Sequence, residues 1–332
     1  MRVSVVVVNY NGRSVLDACL NSLLNQSRQA DELFVVDNGS SDGSQREIRD
    51  RFPAIRLIDV GRNLGFAAAN NLAIKQVSGD VVLLVNNDTR ADPEFVAEML
   101  KPFELRERVG AVASLMVFAN APDTIASAGI AVYRNGLALD QALGMPVNAV
   151  HAGTQVFGPS AGAAAYSLDA LRDVGAFPES FFMYLEDVDL AWRLRLRGWE
   201  TRLAPRALIQ HDYSASSVEG SDFKRRLLAR NRLWVIARCV PASILRSTWS
   251  DIARYELMAL AFGISRFDRS NVGGRVAGAL GLGARIAERR EIQSRSTVSA
   301  DALEAWLRPS PPAREMLRLR EVAASLASRP GK

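Results

Sequence analysis

The chain has 332 residues, 48% hydrophobic and 23% charged, with a formal net charge of +5; this is the make-up of a soluble globular protein with a sizeable core and excludes disordered and fibrous classes. Its two cysteines, Cys19 and Cys239, cannot build a disulfide framework, fit a reducing compartment and are expected in the core. The charge is unevenly divided: residues 1–222 carry 20 Lys+Arg against 27 Asp+Glu, a net of −7, and residues 223–332 carry 21 against 9, a net of +12.

The first hundred residues alternate strand and helix patterns, which predicts βαβ units and a parallel sheet. Residues 3–8 are a continuous β-branched run suited to a strand buried on both faces, too short for a signal-peptide core with its cleavage site. A helix is predicted over 14–25, with Ser14 and Asp17 in a capping-box arrangement and Leu16, Leu20, Leu23 and Leu24 on one face. Strands follow over 33–36 and 56–59, a helix over 66–76, a strand over 81–85, and a helix with Asp92 as cap and Pro93 at its first position. From 109 to 168 short strands and loops are expected, then a helix over 186–197 and short strands over 202–210. After His211 the composition turns to arginine-rich helix, which places a boundary near Ser221. Charged residues interrupt the most apolar tail segment, 242–264, so no transmembrane helix is predicted.

Open α/β sheets bind ligands at the carboxyl ends of their strands, where Asn9-Tyr10-Asn11, Asp37-Asn38-Gly39-Ser40 and Asn86-Asn87-Asp88 fall here. Each cluster alone also reads as turn chemistry. The glycine of Arg62-Asn63-Leu64-Gly65-Phe66 precedes a helix N-terminus, a place where backbone can approach a phosphate. No GxGxxG follows the first strand, which disfavours a dinucleotide-dependent dehydrogenase, and the glycine-rich basic loop of sugar nucleotidyltransferases is missing too. In Phe181–Trp199, FFMYLEDVDLAWRLRLRGW, the acids Glu186, Asp187 and Asp189 open a helix behind Phe181, Phe182 and Tyr184. Acids at a helix start and Arg193, Arg195 and Arg197 toward its end complement the macrodipole. A carboxylate beside an apolar wall is also how a general base is made.

This segment resembles the ED motif of inverting family 2 glycosyltransferases, in particular their rhamnosyltransferase-like branch. The resemblance implies an α/β fold of GT-A type, a mostly parallel sheet flanked by helices, over residues 1–221, with a basic, mostly helical extension over 222–332. It puts the catalytic base on Asp187 with Glu186 beside it, and leaves Asp189 a structural partner. Leu83–Thr89 resembles the family's counterpart of the DxD motif, which makes Asp88 a ligand for Mg2+ or Mn2+ and Asn86 a hydrogen-bonding neighbour. His211 falls where the family carries a histidine that completes the metal or diphosphate site, whereas His151 reads as solvent-exposed. Asn9, Asp37, Asn63 and Gly65 are implied donor contacts. So is Ser160, in the small-residue segment Gly158-Pro159-Ser160-Ala161-Gly162-Ala163, which tight strand packing would equally explain.

The resemblance thus implies transfer of a sugar, plausibly rhamnose from dTDP-rhamnose, to a lipid-linked saccharide in envelope polysaccharide synthesis. The rival reading is a non-catalytic nucleotide-sugar-binding or membrane-scaffold protein that keeps the fold. Arg225, Arg226, Arg230, Arg232, Arg285, Arg289 and Arg290 in the tail default to a solvated face. Their net charge also suits an anionic surface, which predicts a cytoplasmic protein held peripherally on the inner face of the membrane. Nucleic acid is not expected, since no nucleic-acid module accompanies the charge.

Overall fold

A computed structural model describes residues 1–104, 108–212 and 221–327. The β-branched run forms β1 (Val3–Asn9), with Val3, Val5 and Val7 in one hydrophobic core and Val6 in the other, so both faces of the strand are covered. Parallel to it lie β2 (Glu32–Asp37), β3 (Arg56–Asp59) and β4 (Val81–Asn86), in the order β3-β2-β1-β4. Beyond β4 the sheet becomes mixed. β10 (Ala163–Ser167) runs antiparallel between β4 and β6 (Val109–Phe118), and β11 (Glu200–His211) lies parallel to β6. The short strand β5 (Thr89–Ala91) closes the edge against β11, and β7 (Ala121–Ser127) pairs with β6. A separate hairpin joins β8 (Ile130–Val132) and β9 (Ala138–Asp140).

Helices α1 (Arg13–Leu24), α2 (Ser44–Arg51) and α4 (Phe95–Leu100) cover one face of the sheet. On the other lie α3 (Phe66–Ile74), α5 (Leu168–Val174) and α6 (Glu186–Leu196). The tail is helical: α7 (Asp222–Cys239), α8 (Ala242–Ser265), α9 (Arg269–Leu280), α10 (Leu282–Ser294), α11 (Ala300–Glu304) and α12 (Ala313–Ala327). It shares a core with the sheet domain, where Val188, Ala191 and Trp192 of α6 pack with Val235, Ile236 and Cys239 of α7 and Ile244 of α8. Residues 213–220, just before the expected boundary at Ser221, lie outside the described residues. Among the described residues no helix is long and apolar enough to cross a membrane.

Several local expectations are corrected. The capping box at Ser14 and Asp17 does not form: α1 begins at Arg13, and its N-cap is Gly12, which supplies no side-chain bond. Asp92 and Pro93 make the turn before α4, with Phe95 N–H donating to the Asp92 carbonyl, and the helix starts two residues later than predicted. The stretches read as short strands contain the long, wholly buried β6 and the bulged β11. Arg193 and Arg195 do not merely face a helix dipole. Both are buried, Arg193 donating to the carbonyls of Val174, Gly175 and Ala176 and Arg195 to those of Val156 and Phe157.

The tail arginines are corrected as well, since much of their charge is spent inside the protein. Arg232 pairs with Glu256, Arg285 with Glu288 at 2.7 Å, and Arg225 with Asp268 at 3.0 Å, while Arg230 stacks over Trp234. Arg232 and Arg285 are buried; of the seven named, Arg226 and Arg290 are exposed.

Candidate active site

Parallel pairing sets the tips of β1, β2 and β4 side by side, with Asn9 opposite Asp37 and Val8 opposite Asn86. Three side chains lock there. Asn9 donates to Asp37 at 3.0 Å and accepts from Asn87 at 2.8 Å. Asp37 is fully buried and also takes the Ser40 amide at 2.9 Å and Gln45 at 2.8 Å. In this conformation Asp37 shapes the loop after β2. The next residue, Asn38, bonds Asn63 at 3.0 Å and the Leu64 amide at 2.9 Å, which ties that loop to the start of α3 and leaves Asn63 exposed at the rim.

Gly65 has a physical reason other than the one the sequence suggested. At φ +84° it occupies the left-handed region, and a Cβ there would stand 2.5 Å from the Phe182 carbonyl oxygen. The glycine therefore admits the loop before α6, and Ala67 N–H, in the first turn of α3, donates to that same carbonyl at 3.2 Å.

At the tip of β4, Asn86 N–H donates to the Gly162 carbonyl at 2.8 Å, and the adjacent Ala161 N–H donates to Asp187 at 3.1 Å. The segment with Ser160 thus bridges the β4 tip and the start of α6. Gly158 fits here through its lack of a side chain: a Cβ would lie 2.3 Å from the Ala191 Cβ of α6, so the packing reading of this segment holds for that residue. Asp88 Oδ1 lies 3.2 Å from His211 Nε2, an approach enforced by the antiparallel register of β5 and β11 and by Asp212 N–H donating to the Asp88 carbonyl at 2.8 Å. His151 is exposed and stands apart from this group, as predicted.

The electrostatics separate the two acids of α6. Burial raises the Asp187 carboxyl to about 6, opposed by the hydrogen bonds it accepts from the Ala161 and Val188 amides. Glu186 is pushed well above the usual carboxylate range by burial and by the neighbouring Asp187 charge, and among the described residues no donor reaches its buried Oε2. Burial thus holds both acids toward their protonated forms, Glu186 more strongly than Asp187, which is the member of the pair more readily ionised. Burial works against protonation of His211, but the Asp88 carboxylate outweighs it and raises the imidazole overall. Asp140, at the end of β9, adds to the shift of both Asp187 and His211, which places all three in one electrostatic neighbourhood. Nothing in its sequence context marks Asp140; the topology brings it in.

A second residue whose role sequence reasoning missed is Asn231. The loop before α6 holds Phe182, Tyr184 and Leu185 at φ +66°, +70° and +64°, costly values for side-chain-bearing residues. Buried Asn231 of α7 donates to the carbonyls of Phe181, Met183 and Tyr184 at 3.1, 2.9 and 2.7 Å, and Arg230 adds a bond to Phe181 at 2.7 Å. Asp189 is structural, as expected: fully buried, it pairs with Arg193 at 2.7 Å and with Arg238 of α7 at 2.9 Å.

Asp88 and His211 offer a hard carboxylate oxygen and an imidazole nitrogen, a donor pair that suits Mg2+ or Mn2+ if ligand oxygens and water complete the coordination. Among the described residues no group of three or more His, Cys, Asp or Glu converges to hold an ion without such help.

The family model described as Glycosyl transferase family 2 matches residues 4–175. The N-acetylglucosaminyl-diphospho-decaprenol L-rhamnosyltransferase of Mycobacterium tuberculosis (strain CDC 1551 / Oshkosh) is 28% identical over 265 residues, 69% of this chain and 81% of that protein. The mannosyltransferase PcManGT from Pyrobaculum calidifontis, solved with GDP-Man and Mn2+, superposes with a TM-score of 0.54 at 18% identity, over 98% of this chain and 86% of its own. TarS 1-349 of S. aureus, solved with UDP-GlcNAc, gives a TM-score of 0.53 at 17% identity over 89% and 91%. These two superpositions establish a common fold, of GT-A type.

Proposed function

This chain belongs to glycosyl transferase family 2, and we propose that it transfers rhamnose, with inversion, from dTDP-rhamnose to a hydroxyl of a lipid-linked saccharide in envelope polysaccharide synthesis. The observation that carries the reading is Asp187: a carboxylate poised near neutrality at the mouth of α6, joined through Ala161 and Gly162 to the β4 tip that presents Asp88. The choice of sugar and acceptor leans on the mycobacterial relative, whose name specifies both.

In the proposed reaction the acceptor oxygen attacks the anomeric carbon from the face opposite the diphosphate. The new C–O bond forms as the old one breaks, the nucleotide diphosphate leaves with the electron pair, and Asp187 takes the acceptor's proton. Ionised Asp187 is held in place by the Ala161 and Val188 amides. Asp88 and His211 are the residues that would hold a divalent cation, which when bound offsets the charge on the departing diphosphate. Asn9, Asp37, Asn63, Gly65, Asn86 and Ser160 shape the donor side, several of them by fixing loops. The protein would work peripherally, on the cytoplasmic face of the membrane.

Incubation with dTDP-rhamnose, Mn2+ and a short-chain lipid diphosphate carrying N-acetylglucosamine should yield one added deoxyhexose by mass and an inverted anomeric centre by NMR. Product from a different nucleotide sugar would replace rhamnose; no product with any of them would leave the non-catalytic rival standing.

Two further outcomes are expected. The base must be ionised to act, so kcat/KM should fall about tenfold per pH unit below pH 6 and level off above it; a profile flat from pH 5 to 8 would remove Asp187 from the base role. Asp88→Ala should weaken Mn2+-dependent nucleotide binding by about tenfold or more, and EDTA should do the same to the unaltered protein. Calorimetric titration giving equal affinity in chelator and in Mn2+ would sink the cation site.

A further inference from the structure

The outer face of α8 carries an apolar surface that no described element covers. Leu257, Met258, Ala261, Phe262 and Ile264 are exposed over its last turns, and Phe267, just past the helix end, is 89% exposed. Phe267 sits at φ +54°, in the turn between α8 and α9. The charges around this surface share one sign. Arg254, Arg266 and Arg269 are exposed, whereas the acids between residues 252 and 287, Glu256 and Asp268, are turned inward, Glu256 to Arg232 and Arg275 and Asp268 to Arg225.

We propose that the end of α8, with Phe262, Ile264 and Phe267 as its apolar contacts and Arg254, Arg266 and Arg269 as its charged rim, lies in the headgroup region of an anionic bilayer. A helix that is apolar and basic outside, yet not apolar enough to span, has the make-up of an interfacial anchor. A second copy of this chain is a poor occupant. A two-fold contact would set the same arginines against each other with no outward carboxylate to meet them. Bilayer phosphates supply that complement, and side chains that project singly suit a fluid apolar layer better than a second rigid surface. Attachment by this surface differs from attachment by the tail's overall charge, because many of the tail arginines already hold internal partners. The inference gives a place to the peripheral localisation of the proposed function but does not depend on the sugar transferred.

The test compares the whole protein with the Phe262→Ser/Ile264→Ser/Phe267→Ser variant in vesicle flotation, with circular dichroism melting to establish that the variant is folded. Vesicles of phosphatidylcholine alone and of equimolar phosphatidylcholine and phosphatidylglycerol are used, each at low and high salt. The unaltered protein should float with the anionic vesicles, retain part of its binding at high salt, and bind neutral vesicles less. The folded variant should lose about tenfold or more of its binding, while transfer to a water-soluble acceptor stays at the parent rate. Equal flotation of variant and parent, or none by the parent, overturns the assignment. A parent that is dimeric by sedimentation, beside a monomeric variant, overturns it in favour of a contact between copies. Loss of transfer in both proteins with flotation intact would count against the proposed reaction and leave the anchor standing.

Discussion

Asp187→Asn should abolish sugar transfer, by about a thousandfold or more, while nucleotide-sugar binding stays within a fewfold of the parent protein. The amide keeps the shape of the carboxyl but cannot take a proton from the acceptor, so the loss should fall on kcat. The same change should raise stability. The folded protein holds the Asp187 carboxyl at about 6, above its unfolded value, so ionising it costs folding free energy. The contribution runs in one direction: it is fully present at acid pH, below the unfolded value, and is lost as the pH rises through about 6. At pH 7 the parent therefore carries a penalty that asparagine avoids, partly offset because the amide has one acceptor oxygen for the Ala161 and Val188 N–H groups, which leaves a net increase of about 1 kcal/mol. A variant that is inactive and melts higher is the signature of a catalytic carboxylate; an inactive variant that melts lower would point to a structural one.

Asn231→Asp should produce the second-largest effect, in the opposite direction for stability. The two side chains have the same shape, but aspartate presents oxygen where the amide nitrogen serves the carbonyls of Phe181, Met183 and Tyr184. The carbonyls of Met183 and Tyr184 lose their side-chain donor, that of Phe181 keeps Arg230, and a loop with three left-handed residues loses its clamp, a cost of about 2–3 kcal/mol. The loop delivers Glu186 and Asp187, so transfer by the fraction that remains folded should fall by about a hundredfold. The acid limb of the pH profile should move as well, because the burial that sets it depends on where the loop lies. An unmoved limb in a variant with fewer active molecules would make Asn231 a purely structural residue.

Much of the fold was legible in the sequence because its signals are local. The valine run of β1, the 56–59 strand and the start of α3 at Phe66 follow from side-chain periodicity within a few residues. The candidate site was legible as a set of strand tips, and the structure brings Asn9, Asp37, Asn86, Asp88 and His211 to neighbouring positions. What escaped depends on distant partners. Gly65 reads as a phosphate-approach glycine until the Phe182 carbonyl is seen to fill its Cβ position. Arginine patterning gives charge but not destination, and Arg193, Arg195 and Arg232 end on groups that only the folded chain supplies. No glycine marks the left-handed loop before α6, since its strain is offset by an asparagine about 50 residues further on. Asp140 lies in a two-stranded hairpin whose closeness to α6 and β11 no local pattern encodes.

The buried pairing of Asp189 with Arg238 bears on how such a protein can be altered or can evolve. One end of that pair is in the helix that carries the proposed base; the other is in the tail, where Arg238 continues to Glu288 of α10 at 2.6 Å. Severing the chain near Ser221 would leave Asp189 with Arg193 alone of its two ionic partners and free the loop that Asn231 holds. Sheet domain and tail are therefore physically coupled through α6 and α7. A chimera that exchanged acceptor preference by swapping the tail between relatives would have to carry over α7 and its complement on α6 together, and specificity in this lineage should drift through substitutions in loops more readily than through recombination at the apparent domain boundary.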